Sequence, residues 1–391
     1  MLKGKMVIGQ SGGPTAVINQ SLVGAILAAR EQAAITGILG AKHGLKGIME
    51  EDFIDLTMQS VAQLEEVAAT PAAALGSVRL KPGKAECEKV FEVFKKHGVR
   101  FFFYIGGNDS AETAHIIAEM AKEANYDFCT VHIPKTIDND LRVTDHSPGF
   151  ASAARFVALA FMGDDRDNKA LSGVKINVVM GRDAGFLTAA SALARQAEGD
   201  GPHLIYVPER TFDVAQFQTD VAAQVGQHGR CVVAVSEGIV DVKGNPIATT
   251  GEKDSHGNLQ LSGTGALGDT LSALVKEALP KGTRVRADTF GYLQRSFPTI
   301  VSDVDAKEAR DVGEFAVNHA VSSVENGSVA IKRESSNPYS SSYFITPLST
   351  VAREATSMKD EYINDKGNDV TQAWLDYVAP LVGELPKMGR L

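Results

Sequence analysis

Cysteine is nearly absent from this chain. Cys87, Cys129 and Cys231 are the only three in 391 residues, and no two form a Cys-x-x-Cys pair. That scarcity excludes a disulfide framework and a structural zinc site, and points to a reducing compartment. Long apolar runs are also missing, because charges, Gly or Pro interrupt each one before the ~20 residues that a membrane span needs. Residues 1–13 lack the continuous hydrophobic segment and small-residue cleavage site of an export signal. These absences predict a cytoplasmic protein with no membrane partner. No block of one charge sign occurs either. The formal net charge of -9 is spread along the chain, so no nucleic-acid partner is implied and an anionic ligand must be met by local cations. The nine histidines show no ligand spacing, and no Gly-x-x-x-x-Gly-Lys-Ser/Thr phosphate loop is found.

What is present is the balance of an ordinary globular protein, with 44% hydrophobic and 22% charged residues, in a chain long enough for two or three domains. Short Val/Ile/Phe-rich runs alternate with stretches of helical period, the pattern of a parallel sheet covered by helices. Strands are predicted at residues 5–9, 100–105, 128–133, 174–180, 203–207, 230–236 and 328–332. Helices are predicted at 19–34, 111–124 and about 185–196, with a helical tail from residue 371. Residues 334–343 are Ser-rich and read as a loop, and residues 241–265 as an exposed connection or small hairpin. Lys95-Lys96-His97 followed by Gly98 reads as a helix end, where cations meet the negative dipole and Gly forms the cap. The run Phe101-Phe102-Phe103-Tyr104 reads as a buried strand.

Polar or Gly-rich turns follow four of these strands, where open α/β sheets place ligands. Gly106-Gly107-Asn108-Asp109-Ser110 opens a helix, so its backbone N–H groups face an anion with the helix dipole behind them. Asn108 and Asp109 add oxygens suited to Mg²⁺. In Pro134-Lys135-Thr136-Ile137-Asp138-Asn139-Asp140, two carboxylates two residues apart stand beside an ammonium and a hydroxyl. That set can supply a general base and a cation for developing phosphate charge, although Asp-Asn-Asp is also a common turn former.

Two other motifs fail on context. Gly9-Gln10-Ser11-Gly12-Gly13 matches a nucleophile elbow, but too little chain precedes it for the oxyanion-hole loop. Gly263-Thr264-Gly265-Ala266-Leu267-Gly268, with Asp288 downstream, matches a dinucleotide fingerprint but follows polar residues rather than a strand.

Gly12-Gly13, residues 106–110, residues 134–140, Met180-Gly181-Arg182, Glu237 and Gly291-Tyr292-Leu293-Gln294-Arg295 together resemble the ordered motif set of the phosphofructokinase family, from about residue 5 to residue 300. The resemblance implies an α/β fold of two Rossmann-like lobes with mostly parallel sheets flanked by helices. It implies a donor lobe at 1–140 completed by part of the C-terminal region, a sugar-phosphate lobe at 141–300, and residues 301–391 packing on both. Asp138 is then the base for the C1 hydroxyl of fructose 6-phosphate, with Asp140 in support and Lys135 catalytic. Gly12, Gly107, Asp109 and Lys135 bind the donor, and Asn108 and Asp109 hold Mg²⁺. Thr136, Ile137, Asp138, Met180, Gly181, Arg182, Glu237, Arg286, Tyr292, Leu293, Gln294 and Arg295 bind the sugar phosphate.

ATP-using members carry Gly where this chain has Asp109 and Lys135. Both replacements resemble the pyrophosphate-dependent branch, whose reaction is reversible and serves glycolysis and gluconeogenesis; an ATP-dependent kinase is the alternative. A non-catalytic sugar-phosphate-binding regulatory subunit is the rival from another class, opposed by the joint presence of Lys135, Asp138, Asp140 and Arg182. The family also implies a homodimer or homotetramer with shared active sites. Two departures stand out. Asn108 replaces the usual metal-binding aspartate, and Gly173 stands where ATP-using members place an arginine, with Lys169 and Lys175 nearby.

Overall fold

Buried, β-branched and aromatic runs organise two sheet cores in this computed structural model, which describes residues 2–249, 251, 261, 264–352 and 354–390. Among the described residues the strands are β1 (Gly4–Gln10), β2 (Ile35–Ala41), β3 (Phe53–Asp55), β4 (Val99–Gly106), β5 (Cys129–Pro134), β6 (Gly173–Val179), β7 (Leu204–Tyr206), β8 (Arg230–Ser236), β9 (Val285–Thr289), β10 (Gly327–Ser336) and β11 (Tyr339–Thr346). The chain divides into one unit of Met1–Phe150 with Arg295–Thr356, and a second of Ala151–Gln294 with Ser357–Leu391.

In the first unit the sheet order is β11-β10-β5-β4-β1-β2-β3. The central pairs β5/β4, β4/β1 and β1/β2 are parallel, and the edge pairs β10/β11 and β2/β3 are antiparallel. The aromatic run of β4 explains why both faces are covered. Phe101, Phe103 and Ile105 point into one apolar cluster with Ile18, Leu22, Ile26, Val312 and Val317. Phe102 and Tyr104 point into another with Val90, Phe91 and Phe94. Alternation sends successive side chains to opposite faces, so a strand apolar throughout must be sandwiched between helices. The helix Lys84–His97 ends on Gly98 with φ 67, as its last turn predicts, and its Lys96 and His97 reach Glu51 at 2.6 and 2.7 Å.

The second unit holds a parallel four-stranded sheet, β7-β8-β6-β9. Its core is Val174, Ile176, Val178, Phe217, Val233, Val235 and Leu271 among others. The tail helix is Gln372–Val382, and Trp374 is fully buried.

Several boundaries differ from the sequence expectation. The helix predicted from residue 111 begins at Asn108, because Gly107 starts it directly from the strand end. The stretch at 185–196 is a short helix, Phe186–Ala190, and a 3₁₀ turn, Ser191–Ala194. Residues 334–343 are not a loop but the ends of the β10–β11 hairpin, paired from Ser328↔Thr346 to Ser336↔Tyr339. Serines there lack an apolar face, and cross-strand hydrogen bonding supplies what composition does not. Residues 250, 252–260, 262 and 263 of the expected connection, the last of them also in the fingerprint motif, lie outside the described residues.

Candidate active site

The strand order of the first unit reverses at β1 and β4. The chain leaves β1 toward β2 on one side and returns to β4 on the other. A crevice opens at the carboxyl ends of strands at such a switch point, and three turns expected to carry chemistry stand there: residues 11–13 after β1, 106–110 after β4, and 135–140 after β5. Their proximity is measurable. A Cβ at Gly12, where φ is +74, would lie 3.1 Å from Lys135 Nζ, and one at Gly13 would lie 3.0 Å from an Arg295 guanidinium nitrogen and 3.8 Å from one of Arg79. A side chain at either position would fill the space these cations enclose. Glycine leaves it open to an anion, while the Gly12 N–H is held by the Val78 carbonyl at 3.1 Å.

Lys135 is 4% exposed, and its ammonium donates to the Gly13 carbonyl at 2.7 Å. Burial, aided by the Arg295 and Arg79 charges and opposed by Asp138 and Asp140, brings its pKa down to about 8. An ammonium held among like charges is poised to accept a polyanion. His132 supports the turns from beneath. Its Nε2–H donates to the Gly106 carbonyl at 2.8 Å and its Nδ1 accepts from the Ser328 hydroxyl at 2.8 Å. The same carbonyl accepts the Lys135 N–H at 2.9 Å. Burial, with Lys135 nearby, lowers His132 to about 4, so the ring is a neutral strut.

Asn108 and Asp109 form the first turn of the helix Asn108–Glu123, and Asn108 Oδ1 accepts the Asp109 N–H at 2.9 Å. Asp109 lies 3.3 Å from Lys81 Nζ, which also reaches Glu112 at 3.5 Å. Among the described residues no group of three His, Cys, Asp or Glu converges on one point. One carboxylate beside an amide does not make a protein cage, but it fits Mg²⁺ that arrives on phosphate oxygens and keeps its waters.

After β5, Thr136 pairs with Gly149 in an isolated bridge, and its Oγ1 accepts the Asp138 N–H at 3.1 Å. Ile137 is buried at 6% and Asn139 at 4%, whereas Asp138 and Asp140 are partly exposed. Alternation therefore presents both carboxylates and hides the residues between and before them. Asn139 adopts φ 58, a left-handed conformation that Asn tolerates, and its Oδ1 accepts the Ser147 N–H at 3.0 Å.

In the second unit the expected sugar-binding residues cluster at the ends of three adjacent parallel strands, β8, β6 and β9. Met180-Gly181-Arg182 follows β6, Glu237 follows β8, and residues 291–295 follow β9. The Glu237 N–H bonds the Val179 carbonyl at 3.0 Å, and the Ser236 hydroxyl donates to the Gly181 carbonyl. Gln294 is 1% exposed, donates to Gly291 O at 2.8 Å and accepts the Met180 N–H at 3.4 Å. It is thus a tie between strand-end loops. Arg286 lies on β9 and donates to the Val285 carbonyl. Tyr292 and Leu293 are 46% and 64% exposed.

Arg295, expected with the sugar's phosphate, lies against Gly13 in the first unit. Arg79 and Lys81 were not found by sequence reasoning, because no local pattern connects them to the turns they approach. Gly173 has φ +89, and a Cβ there would lie 2.3 Å from the Arg284 carbonyl oxygen, so no side chain fits. Neither lysine near it is free: Lys175 pairs with Asp164 at 3.1 Å and with Asp288, and Lys169 with Asp165 at 3.4 Å and with Asp200. Gly173→Ala should therefore destabilise the fold by about 1–3 kcal/mol, read as a lower midpoint in thermal or urea unfolding.

Glycine turns at a switch point, faced by the buried Lys135 and by Arg79 and Arg295 and followed by paired carboxylates, define a phosphate-handling α/β protein. The phosphofructokinase family model matches residues 5–320, and the chain belongs to that family. It is 55% identical to the pyrophosphate–fructose 6-phosphate 1-phosphotransferase of Rhodospirillum rubrum, over 100% of this chain and 97% of that protein. The protein of the same name from Xanthomonas campestris is 39% identical over 99% of this chain and 93% of its own length. Among solved structures, the pyrophosphate-dependent phosphofructokinase of Nitrosospira multiformis superposes with a TM-score of 0.87 at 34% identity, covering 99% of this chain and 95% of that one. No helix of the described residues is long and apolar enough to cross a membrane.

Proposed function

We propose that the chain transfers a phosphoryl group from pyrophosphate to the C1 hydroxyl of fructose 6-phosphate, giving fructose 1,6-bisphosphate and phosphate, reversibly. The observation that carries this reading is the Lys135 ammonium seated on the Gly13 carbonyl beside the open glycine turns. A lysine there fits a small inorganic anhydride.

The turn N–H groups of Gly13 and of residues 107–108, with Lys135, Arg79 and Arg295, hold the diphosphate and offset the negative charge that develops as the P–O bond to the leaving phosphate breaks. Asp138 accepts the C1 hydroxyl proton as that oxygen bonds to phosphorus, and Asp140 supports it. Arg182, Glu237, Met180, Gly181, Arg286 and Tyr292 bind the sugar phosphate, guanidinium forks suiting its phosphate oxygens. Family enzymes generally use Mg²⁺, for which Asp109 beside Asn108 is the proposed contact; the ion supplies charge neutralisation on the phosphate oxygens. Arg295, by its place beside Gly13, is assigned to the phosphoryl group in transit. The exposed Tyr292 and Leu293 suit a surface completed by a neighbouring subunit, and a homodimer or homotetramer is proposed.

Donor choice rests on Asp109, whose carboxylate stands at the opening of the turn beside Lys81. It would repel the α-phosphate of a nucleotide. With fructose 6-phosphate and Mg²⁺, pyrophosphate should support turnover and ATP should not; turnover with ATP alone overturns the reading. Asp109→Gly should let ATP compete with pyrophosphate, lowering its inhibition constant by about tenfold, equivalent to ~1.4 kcal/mol of relieved repulsion.

A further inference from the structure

The segment that follows the proposed base is irregular yet buried from Leu141 through His146 to Phe150 at many positions, and it is held by contacts remote from the glycine turns. Asp305 Oδ1 accepts the Gly149 N–H at 2.8 Å. The Asp145 N–H bonds the Ile331 carbonyl at 2.8 Å. The Thr144 hydroxyl donates to the His146 carbonyl at 2.7 Å and accepts the Ile331 N–H at 3.0 Å. At the centre of these contacts is His146, 1% exposed.

Its Nδ1 lies 2.8 Å from Asp145 Oδ2 and its Nε2 lies 2.5 Å from Glu308 Oε2. Ionised carboxylates only accept, so both ring nitrogens carry protons and the ring is an imidazolium. The second oxygen of Glu308 accepts from the Tyr339 and Ser341 hydroxyls, each at 2.6 Å. Asp145 Oδ2 also accepts from Arg333 at 3.0 and 3.2 Å. Two cations and two anions thus balance in a buried cluster. They join the segment after the base to the helix Asp303–Ser322 and to the β10–β11 hairpin.

We propose that His146 is a positioning residue: clamped between Asp145 and Glu308, it fixes the segment that presents Asp138, and so governs the rate of transfer rather than the affinity for either substrate. The inference rests on the assignment of Asp138 as the base. A buried charged clamp is strong only while every member is satisfied, and losing one partner loosens the whole.

The clamp has a pH signature. Burial pulls the His146 pKa down, but the hydrogen bonds it donates to Asp145 and Glu308, and their negative charge, override it and bring it up to about 9. Asp145 and Glu308 are both held below their usual range despite burial, by His146 and their other donors. Tyr339 is pushed above its usual range by burial and by Glu308. His146 is therefore the group of this cluster that titrates near pH 9. Because its folded value lies above its unfolded one, its contribution is complete below about 6.5 and is lost as pH rises through about 9.

The test is steady-state kinetics and thermal unfolding of the full chain, wild type, His146→Gln and Glu308→Gln, from pH 6.5 to 10 at saturating pyrophosphate. A bound diphosphate holds Lys135 charged and removes its titration from kcat. His146→Gln should lower kcat about 10–100-fold at pH 7.5 with both KM values within about twofold, a size typical of lost positioning, and it should lack the wild type's drop in melting temperature above pH 8.5. Glu308→Gln, which leaves an amide oxygen for the ring, should move the alkaline limb of kcat to lower pH. Wild-type kcat in His146→Gln, KM values that rise in step with the fall in kcat, or an unmoved limb in Glu308→Gln overturns the proposal. If His146→Gln does not fold, the Glu308→Gln limb decides. Full turnover by Asp138→Asn would instead sink the assignment of the base.

Discussion

Asp138→Asn is expected to lower kcat by about 10²–10⁴-fold, the usual worth of a positioned general base, while the affinity for fructose 6-phosphate changes by less than about twofold. The amide is nearly isosteric but cannot take up the hydroxyl proton. The main chain should hold its place, since the Asp138 N–H bonds Thr136 Oγ1 and Thr136 is bridged to Gly149. Single-turnover kinetics with pyrophosphate and calorimetric titration of the sugar phosphate separate the two effects. Undiminished turnover would remove Asp138 from the chemistry. Equal losses of binding and rate would make it a sugar ligand rather than a base.

Lys135→Met should have two effects of opposite sign. Without the ammonium, kcat/KM for pyrophosphate should fall about 10²–10³-fold, the scale of removing one preorganised donor from a developing anion. The free protein should become more stable. Lys135 has its folded pKa depressed from 10.5 to about 8, with burial the first cause. At ~1.4 kcal/mol per unit, that is a penalty of order 3 kcal/mol on keeping the charge in the fold. The penalty is complete below about pH 8 and fades as pH rises toward 10.5. The lost hydrogen bond to Gly13 offsets part of the gain, leaving about 1–2 kcal/mol at pH 7. Scanning calorimetry should show the rise in melting temperature. In the wild type, kcat/KM for pyrophosphate should fall as pH passes through about 8, and in Lys135→Met that fall should be absent. A variant less stable than the wild type at pH 7 would show that the ammonium is not strained.

The two predictions explain why a structure keeps a costly residue. A cation buried among cations destabilises the empty protein, and a bound polyanion reverses the sign. Stability is given up locally to preorganise a site that water would otherwise screen. Gly12 and Gly13 follow the same logic, since either could carry a side chain only by filling the space beside Lys135 and Arg295.

Much of this site was legible in consecutive residues. Strand-end turns are local chemistry: a buried apolar run, then glycines, then polar side chains, each readable from neighbours one to five positions apart. The turns at 106–110 and 134–140 are of that kind, and β1, β4 and β5 lie within a residue or two of their predicted ranges. The β10–β11 hairpin was not legible, because a Ser-rich strand carries no apolar period and is specified by its partner. Nor was the clamp on His146, whose partners come from the adjacent residue, a helix and a hairpin.

The sequence by itself determined the α/β class and the turns able to bind phosphate, since both follow from residues close along the chain. Only the tertiary structure decided that Arg79 and Arg295 close on Gly13 and Lys135, and that the ammonium is buried rather than solvated. Charge in a protein takes its value from distance and dielectric, and both are set by which strands lie side by side.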